Sequence, residues 1–246
     1  MGSWIRRLVC AGVALLALAS PAIAGPPFLT DDPQPTDLHH FEIYSFAALE
    51  QARGERSGEG GIDFNYGGAE NLQLTAVLPY AFTRTAENKA ADLGPIELAA
   101  KYKILHQTGF GLDVAVFPRI FLPAGSAAVG PRHAALLLPV WIGKDFGPTS
   151  VFGGGGCTIN RGGDSQDFCQ WGLTLTRKIT DRLTLGGEVF HQTPDTRHGR
   201  ASTDLGFGGT FDLTEHLHLM ATVGPGVQNR SQTHSAHGYL ALLTTF

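Results

Sequence analysis

The feature that most constrains this sequence is a repeated alternation of apolar with small or polar residues. In the stretch NLQLTAVLPYAFT, residues Leu72, Leu74 and Leu78 share one face, whereas Gln73 and Thr75 share the other. Successive side chains of a β-strand point to opposite faces, so a period of two predicts a strand with one apolar face. The stretches GPIELAAKYKIL and GRASTDLGFGGTFDLT repeat this pattern. The chain is therefore expected to be all-β.

About twelve such runs occur along the chain, and an even number of strands is typical of single-chain bacterial membrane barrels. Each run is long enough to cross a membrane, since a membrane strand needs roughly 9–11 residues. We therefore predict an all-β, transmembrane, antiparallel up-and-down β-barrel of about 12 strands, with an uncertainty of about two strands, over residues 38–246. The runs cover residues 38–50, 57–67, 71–83, 93–106, 109–122, 132–145, 148–159, 167–179, 182–192, 200–213, 215–226 and 234–246.

The links between these runs alternate in length. Short links are GGAE, HQTG, FGPT, ITDR and LTEH, and those between them are mostly longer: QARGERSG, RTAENKAAD, PAGSAAVGP, INRGGDSQ, TPDTRHG and QNRSQT. Short periplasmic turns and longer outer loops alternate in this way in outer-membrane barrels. The final run ends on Phe246. We expect this residue to close the sheet against the first strand and to act as the assembly signal that the barrel assembly machinery recognises.

The first residues have the three parts of a secretory signal. Arg6 and Arg7 form a positive segment, residues 8–18 form an apolar run, and Ala22-Ile23-Ala24 is a small-residue cleavage site. We predict a signal peptide over residues 1–24 and a periplasmic lead segment over residues 25–37. The expected location is the bacterial outer membrane, reached by secretion across the inner membrane, with outer-membrane lipid as the surrounding partner.

Two cysteines remain once the signal is removed. Cys157 and Cys169 flank the link INRGGDSQ on neighbouring predicted strands, so we predict a disulfide, with two free thiols as the alternative.

The charge balance of the chain bears on its partners. Acidic residues number 22 against 18 basic ones, and a protein that binds nucleic acid needs a basic surface. We therefore expect no nucleic-acid partner.

Charged residues within the runs predict which face points into the barrel. On the lipid face each Lys or Arg would cost about 2–4 kcal/mol at mid-membrane, so these side chains should face the lumen. They would then line a path for a small-molecule solute, or alternatively help to fill a lumen that side chains pack shut. The lumen candidates are Glu42, Asp63, Glu97, Lys101, Arg119, Glu188 and Asp204.

After the predicted cleavage site the chain reads GPPFLTDDPQPTDLHHFEIY. The Thr-Asp-Asp tripeptide, followed by His-Phe-Glu at the start of a strand, resembles a family of bacterial outer-membrane proteins labelled the MetA pathway of phenol degradation. The resemblance is specific over residues 28–42. It implies an outer-membrane barrel that passes small or hydrophobic solutes, and it supplies no catalytic motif. Thr30, Asp31 and Asp32 could cap a turn or plug, or could bind a cation or another protein at the periplasmic mouth.

The predicted function is a channel or transporter for the passive passage of small solutes, including hydrophobic or aromatic ones. The alternatives are a lipid-acting barrel enzyme, a closed structural or adhesive barrel, and a soluble β-protein. An enzyme would need a nucleophile, a base and a carboxylate near one rim. Residues of these types surround one outer loop, but their spacing matches no known motif, so we predict that the protein is not an enzyme. They are Ser202, His191, His198 and Asp195.

The histidines also raise the question of a metal site. His216 and His218 would share a face of a strand, as two ligands of one ion would. A zinc site needs three or four ligands, and no third ligand stands out. We therefore interpret them as rim histidines and predict neither a metal nor a cofactor.

Overall fold

The computed structural model describes residues 27–231 and 234–246, and the predicted signal peptide, residues 1–24, lies outside them. The strands form one antiparallel sheet, which closes where the first strand pairs with the last. At the seam, the Phe41 N–H donates to the Phe246 carbonyl at 2.7 Å, and their rings lie 5.9 Å apart. The prediction of a closed antiparallel barrel of 12 strands is confirmed.

The 12 strands of the barrel are built from 14 strand segments, because two of them are interrupted. β4 and β5 both pair with β3, and β6 and β7 both pair with β5 and β8. The segments are β1 (Phe41–Ala52), β2 (Glu55–Ala69), β3 (Leu72–Thr85), β4 (Lys89–Leu93), β5 (Ile96–Leu105), the short helix α1 (Gln107–Phe110), β6 (Asp113–Val116), β7 (Arg119–Leu122), β8 (Ala135–Phe146), β9 (Thr149–Ile159), β10 (Phe168–Lys178), β11 (Leu183–Gln192), β12 (Ser202–Asp212), β13 (Leu217–Pro225) and β14 (His234–Thr245).

Prolines explain both interruptions. Pro95 separates β4 from β5 and Pro118 separates β6 from β7, and proline has no N–H for the hydrogen-bond ladder of a sheet. The alternation pattern predicted the runs 93–106 and 109–122 without these breaks. The predicted loop RTAENKAAD, residues 84–92, is wrong in part, because β3 continues to Thr85 and β4 begins at Lys89. The second run also starts later than predicted, at Asp113, because α1 occupies residues 107–110.

The two ends of the barrel differ in the length of their links. One end, here called the turn end, carries both strand termini of the chain and short links such as residues 70–71 and 147–148. The opposite end, here called the loop end, carries residues 123–134, 160–167 and 193–201. The predicted loop QARGERSG is instead part of a hairpin, since β1 and β2 continue to a two-residue turn at Arg53 and Gly54. Gly54 has a φ of 77°, which glycine adopts readily.

The outward face of the wall is apolar and the inward face is largely polar. Leu74, Leu78 and Tyr80 of β3 have 47%, 54% and 56% of their surface exposed, whereas Gln73 and Thr75 of the same strand are buried. This is the face assignment that the alternation predicted. An apolar outer face removes charged groups from contact with lipid. In the part of the chain that the structure describes, no helix is long and apolar enough to cross a membrane.

The lead segment differs most from its predicted position. We expected residues 25–37 in the periplasm, but the structure places residues 27–37, here called the plug, inside the barrel. Phe28, Thr30 and Asp32 are buried there. The wall leaves room for the plug at glycines: a Cβ at Gly172 would overlap Thr30 Oγ1, and one at Gly143 would lie 2.9 Å from the Pro33 ring.

Candidate solute-binding cavity

The plug is anchored to the wall through its backbone and through one carboxylate. The Glu188 carboxylate accepts the N–H groups of Leu29 at 3.0 Å and Thr30 at 2.9 Å. The Asp31 carboxylate lies 2.9 Å from Lys101 Nζ, in a pair that is largely buried. A buried backbone N–H needs a hydrogen-bond acceptor. In a sheet a neighbouring strand provides that acceptor, and here the Glu188 carboxylate of the wall provides it.

A second anchor lies nearer the turn end. Lys103 Nζ donates to Gln34 Oε1 at 2.6 Å, and Gln34 Nε2 donates to Asp113 Oδ2 at 2.8 Å. Lys103 and Asp113 also form an ion pair at 2.8 Å. These two wall residues were not among the predicted lumen candidates. Lys103 could have been added, because it alternates with the apolar Tyr102 and occupies the polar face of its run.

The Thr-Asp-Asp tripeptide combines local capping with a long-range contact. Asp31 Oδ1 accepts the Asp32 N–H at 2.8 Å, and Asp32 Oδ1 accepts the Gln34 N–H at 2.6 Å. These bonds match the turn-capping interpretation of the tripeptide. The pair between Asp31 and Lys101 adds a contact to the wall that local sequence could not predict. The alternative of cation or protein binding at a periplasmic mouth stays a prediction.

A compact charge cluster lies where the plug meets β5 and β7. Arg119 Nε donates to Glu97 Oε1 at 2.7 Å, and Arg119 Nη2 lies 4.0 Å from Asp31 Oδ2. The Phe117 ring is close to both cations, with its centroid 4.8 Å from Lys101 Nζ and 4.6 Å from the Arg119 guanidinium carbon. Buried charges are tolerated when they are paired, and the aromatic face adds a further favourable contact to each cation.

The predicted lumen residues all lie on inward faces, but the structure divides them among different neighbourhoods. Glu97, Lys101 and Arg119 are in the charge cluster, and Glu188 holds the plug backbone. Glu42 accepts a hydrogen bond from the Tyr44 hydroxyl at 3.0 Å, and Asp63 accepts one from Asn65 Nδ2 at 2.9 Å. Asp204 is buried on β12, the strand next to that of Glu188, and lies 4.0 Å from His237 Nδ1. That these residues line a solute path remains a prediction.

A cavity of about 290 Å³ lies between the plug and the wall formed by β14, β1 and β2. The plug contributes Phe28 and Leu29 to it. On the opposite side Phe46 and Tyr239 stack, with ring centroids 6.1 Å apart and ring planes at 16°. Sequence reasoning missed these two rings, although both lie on the inward-facing register of their strands and could have been found by extending the alternation through β1 and β14.

The inward side chains around the cavity are arranged in levels. Because antiparallel register partners point to the same face, Thr222, Tyr239, Ala48 and Glu59 share one level across β13, β14, β1 and β2. Tyr44 and Asp63 are paired two levels nearer the turn end. Ala48 is the small residue between Tyr239 and Glu59, so the cavity is open at this level.

The predicted disulfide is confirmed. Cys157 of β9 and Cys169 of β10 are register partners, and their sulfur atoms are bonded. The bond joins the two strands that lead into the link INRGGDSQ at the loop end.

The enzyme candidates do not converge. Ser202 is buried on the inward face of β12, whereas His191 of β11 is paired with Thr203, the next residue, which points the other way. His191 Nδ1 lies 2.8 Å from Thr203 Oγ1, and the His191 ring packs 5.2 Å from Trp171 on the outward face. Asp195 and His198 are exposed in the following loop.

The histidine pair also separates. His216 precedes β13 and is exposed, whereas His218 is buried in the lumen with its Nδ1 2.7 Å from Asp212 Oδ1. His218 is the second residue of β13 and lies at the turn end beside Asp212, the last residue of β12, but it faces inward and is buried. Among residues 27–231 and 234–246, no three His, Cys, Asp or Glu side chains are grouped as metal ligands would be.

Comparisons with known proteins agree with this fold. The model of the family described as the MetA pathway of phenol degradation matches residues 31–242. An outer membrane channel from Pseudomonas putida F1 superposes with a TM-score of 0.74 at 13% identity, covering 87% of this chain and 98% of that one. The NanC porin gives 0.57 at 10% identity, covering 83% and 98%, and the CymD monoaromatic hydrocarbon channel gives 0.52 at 10%, covering 85% and 88%. Among curated proteins, none matches the chain in sequence.

Proposed function

Because the chain belongs to the family described as the MetA pathway of phenol degradation, we propose that it is an outer-membrane channel for the passive passage of small apolar solutes, including aromatic ones. One observation carries the proposal: a cavity of about 290 Å³, flanked by the Phe46 and Tyr239 rings, lies inside a closed barrel beside a plug. The rings offer a surface on which an apolar solute can pack, and the polar side chains around them can orient it. The similar folds of a P. putida outer membrane channel and of a monoaromatic hydrocarbon channel support the proposal.

The plug determines what kind of channel this is. Residues 28–33 lie next to β8–β11, and residues 34–36 continue to β6, β5 and β3, so a solute would pass along the wall of β14, β1 and β2. A cavity of about 290 Å³ has room for one small molecule, so the channel would admit single small solutes and exclude folded or large ones. The channel needs no energy source or cofactor, because a solute that partitions into the cavity moves down its concentration gradient.

The location and assembly of the protein follow from the same proposal. The barrel would lie in the outer membrane with the turn end in the periplasm and the loop end outside, as in other such barrels. The chain would cross the inner membrane by means of the predicted signal over residues 1–24, and Phe246 would be read by the barrel assembly machinery. Loss of membrane insertion after Phe246→Ser, measured by fractionation of the cells, would support the last step; normal insertion would refute it.

We further propose that the protein is not an enzyme. Ser202 and His191 point to opposite sides of the wall, so they cannot act on one substrate. A mechanism in which His activates Ser requires the two side chains to lie within hydrogen-bond reach. Lipid hydrolysis by the purified protein that is abolished by Ser202→Ala would contradict this.

The channel proposal is tested by filling the cavity. Ala48 lines the cavity, whereas its neighbour Ala47 is on the outward face, so Ala48→Trp and Ala47→Trp add the same side chain to opposite sides of the wall. The measurement is the initial uptake of radiolabelled 2-phenylethanol by Gram-negative cells, whose lipopolysaccharide layer slows its direct passage. We expect uptake above that of cells without the protein, lost in Ala48→Trp and kept in Ala47→Trp.

Equal uptake by cells with and without the protein would refute the channel proposal. Uptake that survives Ala48→Trp would refute the route through the cavity. Heat-modifiable migration of the folded barrel on a gel verifies that both variants are assembled.

A further inference from the structure

The cavity carries an excess of negative charge that the plug does not neutralise. Its lining includes six carboxylates but two permanently basic groups, Lys101 and Arg119. Both basic groups are already engaged, Lys101 by Asp31 and Arg119 by Glu97. The six carboxylates are Asp31, Glu42, Glu50, Glu59, Asp63 and Glu188.

Three of these carboxylates differ in how far their charge is compensated. Glu42, Glu59 and Asp63 take part in no ion pair among the described side chains. Lys101 attracts Glu42 and Arg119 attracts Asp63 from a greater distance, whereas the charged groups that act on Glu59 are acidic. Glu42 also accepts hydrogen bonds from Tyr44 and Thr36, and Asp63 accepts one from Asn65. Glu59 is therefore the carboxylate with the least compensated charge.

The open space next to Glu59 is bounded by an aromatic ring. Thr222, Tyr239, Ala48 and Glu59 share one level of the barrel. The Thr222 hydroxyl is buried toward Gly208 of β12, on the side away from Tyr239. Ala48 is the small residue between Tyr239 and Glu59, so the Glu59 carboxylate and the Tyr239 ring face one space at this level.

On the basis of the proposed channel function, we propose that this cavity binds small apolar molecules that carry one positively charged amine. The ammonium group lies between Glu59 and the Tyr239 ring, and the apolar body of the ligand packs on Phe46 and on Phe28 of the plug. Carboxylates attract the charge in a partly desolvated site, and an aromatic face attracts it further. An apolar amine is thereby selected over a neutral or acidic molecule of the same shape.

The test uses three probes that differ in one functional group: 2-phenylethylamine, 2-phenylethanol and phenylacetate. Binding is measured by equilibrium dialysis against purified protein in phosphatidylcholine nanodiscs, with empty nanodiscs as the blank. We expect the amine to bind about tenfold more tightly than the alcohol, which is the order of effect of one such charge interaction. We expect phenylacetate to bind more weakly than the alcohol.

Two matched variants locate the effect. Glu59→Gln combined with Asp63→Asn removes both charges while keeping the shapes, and it should reduce the preference for the amine to about twofold or less. Glu87→Gln removes one acidic charge from an exposed loop-end position and should leave the preference unchanged. Raised salt concentration should weaken amine binding in the wild-type protein but not alcohol binding.

The outcomes separate this inference from the channel proposal. Equal binding of amine and alcohol overturns the amine preference, and so does a preference that persists in the double variant. If the amine is not preferred but cells still take up 2-phenylethanol in a manner that Ala48→Trp blocks, the channel stands and this inference fails. If neither probe binds and uptake does not depend on the protein, both fail.

Discussion

The two sides of the lumen are packed in opposite ways, with small wall residues on one side and large aromatic residues on the other. Next to β8–β11 the wall carries Gly143, Gly172 and Gly186 at the points where the plug rests, and a Cβ at Gly186 would lie 3.1 Å from the Phe28 ring. Next to β14, β1 and β2 the wall instead presents Phe46 and Tyr239 across a cavity. The small residues let a backbone approach one side closely, and the large rings leave room on the other side for a ligand. The plug thus fills one side of the lumen, and a cavity remains on the other side.

The two sides of the lumen also differ in the polar interactions that their side chains make. The plug is fixed by backbone hydrogen bonds and by buried ion pairs, such as that of Asp31 with Lys101. On the cavity side, Glu59 and Asp63 take part in no ion pair among the described side chains, and the charged groups that act on Glu59 are acidic. Satisfied polar groups make a rigid filling, whereas unsatisfied ones mark a surface that is ready for a ligand.

Replacing the plug should abolish the difference between the two sides of the lumen most completely. A Gly/Ser segment of the same length in place of residues 27–37 keeps the connection to β1 but has none of the anchoring side chains, and such a segment is flexible. We expect the single-channel conductance in a planar bilayer to rise severalfold, because the space next to β8–β11 becomes open to ions. Conductance equal to that of the intact protein would show that the plug does not obstruct the lumen.

Removing one charge of the buried anchor should have the next largest effect. Lys101→Met leaves the Asp31 carboxylate without its nearest cation, and breaking a buried pair in this way costs about 3–5 kcal/mol. The measurement is guanidinium unfolding of the barrel in detergent. Asp31→Asn added to Lys101→Met is the control, because it removes the stranded charge and should recover most of the loss. No recovery in the double variant would contradict the assigned pairing.

The glycine contact offers a smaller and more local test. Gly172→Ala places a methyl group against Thr30, whose side chain is fully buried, and overpacking of this kind costs about 1–3 kcal/mol. Gly187→Ala on the adjacent strand meets its nearest atom at 3.4 Å and should change stability by less than about 0.5 kcal/mol. Both are measured by the same unfolding experiment, together with the rate at which a protease cleaves the plug. Equal effects of the two variants would argue against close packing of the plug on β10.

The smallest effect is expected on the cavity side. Tyr239→Phe keeps the stacking on Phe46 and does not touch the anchors of the plug, so unfolding should change by less than about 0.5 kcal/mol. Protease cleavage of the plug should also be unchanged. A plug released by this substitution would mean that the two sides of the lumen are coupled, and the comparison above would need revision.

The barrel could be predicted from sequence because its wall has a simple physical requirement. A strand between lipid and lumen must alternate, so Leu74 and Leu78 on one face and Gln73 and Thr75 on the other identify β3 without any tertiary information. The break at Pro118 was visible as a proline, but alternation on both sides masked it. The break at Pro95 was missed because the short segment before it, β4, was interpreted as part of the loop RTAENKAAD. The disulfide was predictable because Cys157 and Cys169 flank one hairpin link.

The plug and the cavity could not be predicted in the same way. Residues 27–37 have no period of two and contain several prolines, so nothing local distinguishes a segment inside the barrel from one outside it. The partner of Asp31 is Lys101, 70 residues away, and only the closed barrel brings them together. The inward glycines were a usable signal, since Gly143 and Gly172 occupy lumen-facing positions where a filled barrel would carry larger side chains.

The central claim is that a small aromatic solute occupies the space between the plug and the wall of β14, β1 and β2. The most direct measurement is anomalous diffraction from crystals of the protein soaked with 2-(4-bromophenyl)ethanol. The account predicts a bromine peak inside the barrel, in contact with Phe46, Tyr239 or Phe28. Bromine found only on the outward lipid-facing surface, or inside the barrel only against β8–β11, would contradict it.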